Sequence, residues 1–240
     1  MPHFNSTPTL GASPPARLVA FVSGKGGTGK TTAALSVAAI CAETSRTALL
    51  DLDPQAGVSL AAGVPRASTP LSSAPENKHG FPLYPGGRAL ALASTSEIRR
   101  RVSALRATHG IIVADLSPAL TDAAHAAVLT AGTLAVVVAR TDAAGLANVD
   151  ETVQLCQEQG CRVLIVPNML GRTGLAIEVE RYLRETYPGL VAREAIPLNA
   201  RVADAVVATL PVVRWAPRTS AATALRSLAL EVHERLGGAQ

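Results

Sequence analysis

Lysine is almost missing from this chain. Of its 22 lysines and arginines, only Lys25, Lys30 and Lys78 are lysine, and two of the three fall in one glycine-rich stretch. Arginine serves nearly everywhere else, so those two positions point to a need for a compact ammonium where a planar guanidinium will not fit. Cysteine is just as sparse. Cys41, Cys156 and Cys161 are too few and too unevenly placed for a disulfide framework, and a reducing cytoplasm is the expected compartment. Cys156 and Cys161 lack the close C-x-x-C spacing of metal or cluster ligands and read as buried structural thiols. His3, His79, His109, His125 and His233 are dispersed and form no metal-ligand spacing. No apolar run reaches the length of a membrane span. Residues 1–16 are rich in Pro, Ser and Thr. They lack the basic-then-apolar order of a secretory signal and are expected to form a flexible tail. A charged fraction of 17% beside 48% hydrophobic residues excludes global disorder and suffices for one sizeable core, expected over 17–240. The net charge of +4 is compatible with an anionic partner.

What is present is alternation. Apolar runs at 18–22, 47–50, 111–114, 134–139 and 163–166 read as strands, with further strands expected at 89–93, 191–196 and 211–213. Helices are expected at 31–44, 96–108, 121–131, 143–159, 176–186, 201–208 and 220–236. Residues 54–88 hold many Pro, Ser and Gly residues and read as loops. No internal repeat or second domain is evident. Strands that are apolar throughout and alternate with helices imply an α/β fold, a mostly parallel twisted sheet with helices on both faces. Ligands of such sheets sit beyond the carboxyl ends of the strands. The glycine loop, Asp51, Asp53 and Asp115 all follow directly after predicted strands.

Gly24-Lys25-Gly26-Gly27-Thr28-Gly29-Lys30-Thr31 satisfies G-x-x-x-x-G-K-[ST] between a strand and a helix. The glycines let the backbone curl so that its N–H groups face phosphates, and the helix adds its positive dipole end. Lys30 is expected to reach the β- and γ-phosphates of ATP, and the Thr31 hydroxyl to ligate Mg²⁺. Asp115, closing an apolar strand, is expected to hold a Mg²⁺ water.

Lys25 at the second position makes this a deviant Walker A box, ending Lys30-Thr31-Thr32. Together with Asp51-Leu52-Asp53-Pro54-Gln55, Ile196-Pro197-Leu198-Asn199, Pro211-Val212-Val213 and the ending Ser220-Ala-Ala-Thr-Ala-Leu225, it resembles the ParA/MinD superfamily of P-loop ATPases over residues 17–236. Ser23-Gly24-Lys25 reads more like the MinD and Mrp branches, and Asp115-Leu116-Ser117-Pro118 replaces the family's usual Asp-Thr-Pro-Pro. The resemblance implies that Lys25 crosses a dimer interface to the partner's phosphates, so that ATP lies between two copies. It implies that Asp53 orients the attacking water, that Asp51 helps fix the Mg²⁺ shell, that Asn168 reads the adenine edge and that Pro197 borders the base. A lysine that meets phosphate only across an interface gives ATP differential affinity for the dimer, which is what a ligand-driven switch requires.

The leading expectation is a ParA-like partition ATPase, cytoplasmic and nucleoid-associated. Its ATP dimer would bind DNA non-specifically through Arg201, Arg214, Arg218 and Arg226 and be stimulated by a ParB-like partner. The alternatives are a MinD-like membrane-positioning ATPase and an Mrp-like metal or iron–sulfur carrier. The first lacks bulky apolar residues in the final segment, and the second lacks a close cysteine pair. A biosynthetic P-loop ligase fits Lys25 and Asp53-Pro54 less well. Trp215, the only tryptophan, suggests an interface or core residue.

Overall fold

A strand that is apolar at every position must be covered on both faces, and this chain is built accordingly. The computed structural model describes residues 17–69, 71 and 74–237; the expected tail, 1–16, lies outside the described residues. β1 (Arg17–Val22), β2 (Thr47–Leu52), β3 (Leu83–Tyr84), β4 (Ile111–Leu116), β5 (Leu134–Arg140), β6 (Arg162–Leu170) and β7 (Ile196–Pro197) form one sheet. Its order is β3-β2-β4-β1-β5-β6-β7, and every pairing is parallel.

The strand residues divide strictly by face. Val19, Phe21, Ile111, Val113, Leu134 and Val136 point to one core, covered by α1 (Lys30–Cys41), α2 (Gly57–Ala61), α9 (Val212–Trp215) and α10 (Ser220–Arg235). Leu18, Ala20, Ile112, Ala114, Ala135 and Val137 point to the other, covered by α3 (Thr95–Arg106), α4 (Ala123–Val128), α6 (Val149–Glu158) and α7 (Gly174–Thr186). Two short helices, α5 (Ala143–Leu146) and α8 (Arg201–Val207), complete the set. α1 lies between the sheet and α10, which accounts for its Ala-rich sequence being apolar all round. β1 is central, with β4 on one side and β5 on the other, so the crossovers reverse direction there. That opens a crevice at the carboxyl end of β1, where the glycine loop begins.

Several expected elements differ. The strand expected at 89–93 is a 3₁₀ turn (Arg88–Leu92). Its Ala-Leu alternation buries Leu90 but leaves Leu92 85% exposed, and the sheet edge is taken by Leu83–Tyr84 instead. The strand expected at 211–213 is α9, since Val212 and Val213 are both buried and do not alternate across a sheet. Of the strand expected at 191–196, only the bridge of Val191 to Ile165 and the two residues of β7 pair with β6. The helix expected over 143–159 breaks at Ala147 and Asn148. Residues 54–88, read as loops, include α2 and β3. Cys156 and Cys161 are buried as expected, and so is Cys41; burial pushes the thiols up, to about 11 for Cys41 and Cys161 and about 12 for Cys156.

The turn after β4 is held by one carboxylate. Asp122 caps α4, accepting from the His125 amide at 3.0 Å and lying 2.7 Å from the ring Nδ1 of His125. It also accepts from the Ser117 hydroxyl at 2.5 Å. Partial burial pushes its pKa up, but the bonds from His125 and Ser117 outweigh this and hold it at about 2. A depressed carboxylate contributes stability above its unfolded pKa and loses it as pH falls through the folded one. Asp122→Asn should therefore destabilise the protein by about 1–2 kcal/mol at neutral pH. Denaturant titrations from neutral pH downward should show that difference closing as pH falls from the ordinary carboxylate range towards 2.

Candidate nucleotide site

The glycine loop leaves β1 at Val22 and enters α1 at Lys30. Gly27 and Gly29 hold φ of 75° and 88°, a region closed to most side chains. The loop is braced from several directions. The Ser23 hydroxyl donates to the Lys25 carbonyl at 2.9 Å, and Asn168 at the end of β6 donates its Nδ2 to the Thr28 carbonyl at 2.6 Å. A Cβ on Gly29 would come within 2.1 Å of that amide nitrogen, and one on Gly24 within 3.1 Å of Asn148 and Thr152. The outer side is open, for a Cβ on Gly26 or Gly27 would meet nothing within 4 Å. Gly29 caps α1 with no side chain, so the first amides of the helix remain available to an anion.

Below the loop lies a compact set of charges. Asp115 is fully buried and accepts from Lys30 Nζ at 2.9 Å and from the Thr31 hydroxyl at 2.8 Å. Burial pushes its pKa up, and the Lys30 charge and these hydrogen bonds oppose the rise. Asp51 is its register partner on β2. Its Oδ2 accepts from the Ser59 hydroxyl at 2.6 Å and amide at 2.9 Å, and its Oδ1 from the Asp53 amide at 3.1 Å. Burial, with the charge of Asp115 beside it, pushes Asp51 up to about 7 despite those bonds. Asp51, expected in the metal shell, has both its oxygens hydrogen-bonded, Oδ2 by Ser59 of α2 and Oδ1 by the Asp53 amide. Asp53 is 8% exposed and accepts from the Gln55 amide at 2.8 Å.

Asp51 and Asp53 are thus both within electrostatic reach of Asp115, which Lys30 holds. The donors nearest the loop, Thr31 and Asp115, are hard oxygens of the kind Mg²⁺ takes. The Thr28 hydroxyl is buried with no partner, an orphan of the sort a phosphate oxygen satisfies. Beside the loop a cleft of about 690 Å³ opens. Thr32, Asn168 and Pro197 line it, together with Met169, Val202 and Leu225, which the sequence did not single out. Asn168 is 7% exposed, and its amide N–H is engaged by the loop, so only part of its polar edge is left to face a base.

Lys25 behaves differently from Lys30. It is exposed at the tip of the loop and makes no ion pair among the described residues. The four arginines singled out from the sequence lie on α8 (Arg201), on α9 (Arg214), just after it (Arg218) and on α10 (Arg226). Arg201 pairs with Asp204 at 3.1 Å; Arg226 donates to the Val213 carbonyl and lies 3.9 Å from Glu43. Arg214 donates to the His79 carbonyl at 2.7 Å, and Arg218 is exposed. Trp215 is 44% exposed on α9.

Gly29→Ala should be severe for two independent reasons, its φ and the clash with Asn168. It is expected to cost about 2 kcal/mol or more in stability and at least tenfold in nucleotide affinity. Calorimetric titration with ATP, beside a thermal melt, measures both.

Comparison with known proteins agrees with this geometry. Residues 19–212 match the model of the CobQ/CobB/MinD/ParA nucleotide binding domain. The chain is 32% identical to the chromosome-partitioning ATPase Soj of Thermus thermophilus, over 92% of this chain and 96% of that protein. It is 33% identical to the maintenance of carboxysome distribution protein A of Gloeobacter kilaueensis, over 83% and 85%. In fold it resembles the septum site-determining protein MinD of Pyrococcus horikoshii, solved with Mg-ADP. The TM-score is 0.79 at 21% identity, covering 92% of this chain and 98% of that one. The chain belongs to the CobQ/CobB/MinD/ParA nucleotide-binding family and is a P-loop ATPase of its ParA/MinD kind.

Proposed function

We propose that this chain is a ParA-like ATPase that hydrolyses ATP to ADP and phosphate. It cycles between a monomer and an ATP-sandwich dimer that binds DNA non-specifically, and it serves chromosome or plasmid partition with a ParB-like stimulating partner. The observation that carries the reading is the contrast between the two lysines of one loop. Lys30 is buried against Asp115, whereas Lys25 is exposed and makes no ion pair among the described residues. A phosphate ligand inside the subunit explains the first, and a ligand in a second subunit explains the second. The partition function of the Thermus relative supports the cargo assignment. The likeness to the Gloeobacter relative favours a second reading of the cargo, a protein body, with the ATP cycle unchanged.

The roles follow from the chemistry of each group. The loop amides and the α1 N-terminus hold phosphate oxygens. Lys30 exchanges Asp115 for the β- and γ-phosphates, and Thr31 and Asp115 are the residues that would hold Mg²⁺. When bound, Mg²⁺ neutralises charge on the phosphates and favours their departure. Asp53, held by Gln55 and by Asp51, offers its carboxylate to the attacking water. The cleft beside Pro197 takes the base. Thr32, Asn168 and the glycines complete the cradle.

Lys25→Ala should leave ATP binding by the monomer within a few-fold of wild type and abolish ATP-dependent dimerisation. Asp53→Ala should lower turnover by roughly 10²-fold or more and accumulate an ATP-bound dimer. Light scattering after size exclusion, with and without ATP and Mg²⁺, reads both. An Asp53 variant that stays monomeric with ATP would remove the water-positioning role, and a Lys25 variant that still dimerises would remove the crossing lysine.

A further inference from the structure

The third lysine of the chain lies in the segment whose composition reads as loop. Lys78 is exposed, and its Nζ rests 3.3 Å from both the Gly63 carbonyl and the Thr209 hydroxyl, two neutral partners at the long end of hydrogen bonding. Space there is tight: a Cβ on Gly63 would come within 2.2 Å of that nitrogen, a fit that suits an ammonium better than the wider guanidinium used elsewhere in the chain. The next residue, His79, is buried, with its ring Nε2 2.9 Å from the Ala62 carbonyl. Its own carbonyl accepts from Arg214 Nη1 at 2.7 Å.

Lys78 and Arg214 therefore meet at His79 although they are far apart in sequence. Both charges act on its imidazole, adding to the burial that lowers its pKa. Neither makes an ion pair among the described residues, whereas Arg201 and Arg226 each have a carboxylate at hand. Two like charges brought together without a counter-charge repel, and a bound anion relieves that repulsion. The surface is also joined to the nucleotide site. Ala62 and Gly63 close α2, and Ser59 within α2 holds Asp51.

We infer that Lys78 and Arg214, joined through His79, form one phosphate-binding surface that contacts the DNA backbone, with Lys78 a contact that the C-terminal arginines alone do not supply. This rests on the reading of the ATP dimer as a non-specific DNA binder. It also narrows that reading, because it moves the principal contacts from the paired arginines Arg201 and Arg226 to an unpaired couple.

Fluorescence anisotropy of a labelled mixed-sequence duplex, with ATP and Mg²⁺ between about 50 and 200 mM salt, tests it. Lys78→Gln and Arg214→Gln should each weaken binding by roughly five- to tenfold. Each should also flatten the slope of log affinity against log salt by about 0.9 for every phosphate left without its cation, so by about 2 in a dimer. Arg100→Gln, on α3 across the sheet, should change neither. Lysine acylation read by mass spectrometry on the wild-type protein gives a measurement independent of any variant's folding. Lys78 should react freely with ATP alone and be protected when duplex is added. Wild-type binding with an unchanged Lys78→Gln slope, or Lys78 reactivity indifferent to DNA, overturns the inference and leaves the DNA reading standing. No binding by the wild type at any salt overturns both.

Discussion

The rest of the site is arranged around the contact of Lys30 with Asp115. An ammonium and a carboxylate are both removed from water at the end of β4, 2.9 Å apart, with the Thr31 hydroxyl on the second oxygen. Desolvating two charges is costly, and their attraction repays it only when the geometry is good and the remaining lone pairs are satisfied. Here the neighbouring carboxylates tilt the balance. The charge of Asp53 acts on Asp115, and the charge of Asp115 helps push Asp51 up to about 7. Under the proposed mechanism this pair is exchanged, Lys30 to phosphate and Asp115 to a divalent ion.

The sheet explains why those groups meet at all. Parallel strands bring all their carboxyl ends to one side, and the reversal at β1 leaves that side uncovered. Asp51 and Asp115 are partners in the register of β2 and β4, so their closeness is set by backbone pairing and not by their side chains. Ser59 is what makes the closeness tolerable for Asp51, donating from both its hydroxyl and its amide and in turn accepting from the Gly86 amide at 3.0 Å. The loop after β3 is thereby tied to the nucleotide side.

How legible all this was depended on how local each feature is. The glycine loop, Lys25, Lys30 and Thr31 are close neighbours on one strand–turn–helix unit, and a fixed pattern reveals them. Asp115 was marked by its place at the end of an apolar strand. The buried central strands were equally plain, because both faces had to be apolar. The cleft was less so: Met169, Val202 and Leu225 arrive from β6, α8 and α10, and only packing brings them together. The engagement of Asp51 by Ser59 was hidden because α2 is only five residues long and sits in a stretch rich in loop formers. Sheet edges misled for the opposite reason. Ala89 to Ala93 alternates as a strand should, yet the two glycines before it open a 3₁₀ turn, and Leu83–Tyr84, too short to show a period, takes the edge.

The bracing of the glycine loop has a thermodynamic consequence. Asn168 grips it from β6, and Asn148 and Thr152 crowd Gly24 from α6 and the turn before it, so contacts within the protein brace its curl. Little conformational entropy is then surrendered when nucleotide enters, and the free energy of phosphate contact is not consumed in shaping the receptor. What is left over can be directed outward, to whatever the exposed tip of the loop must capture.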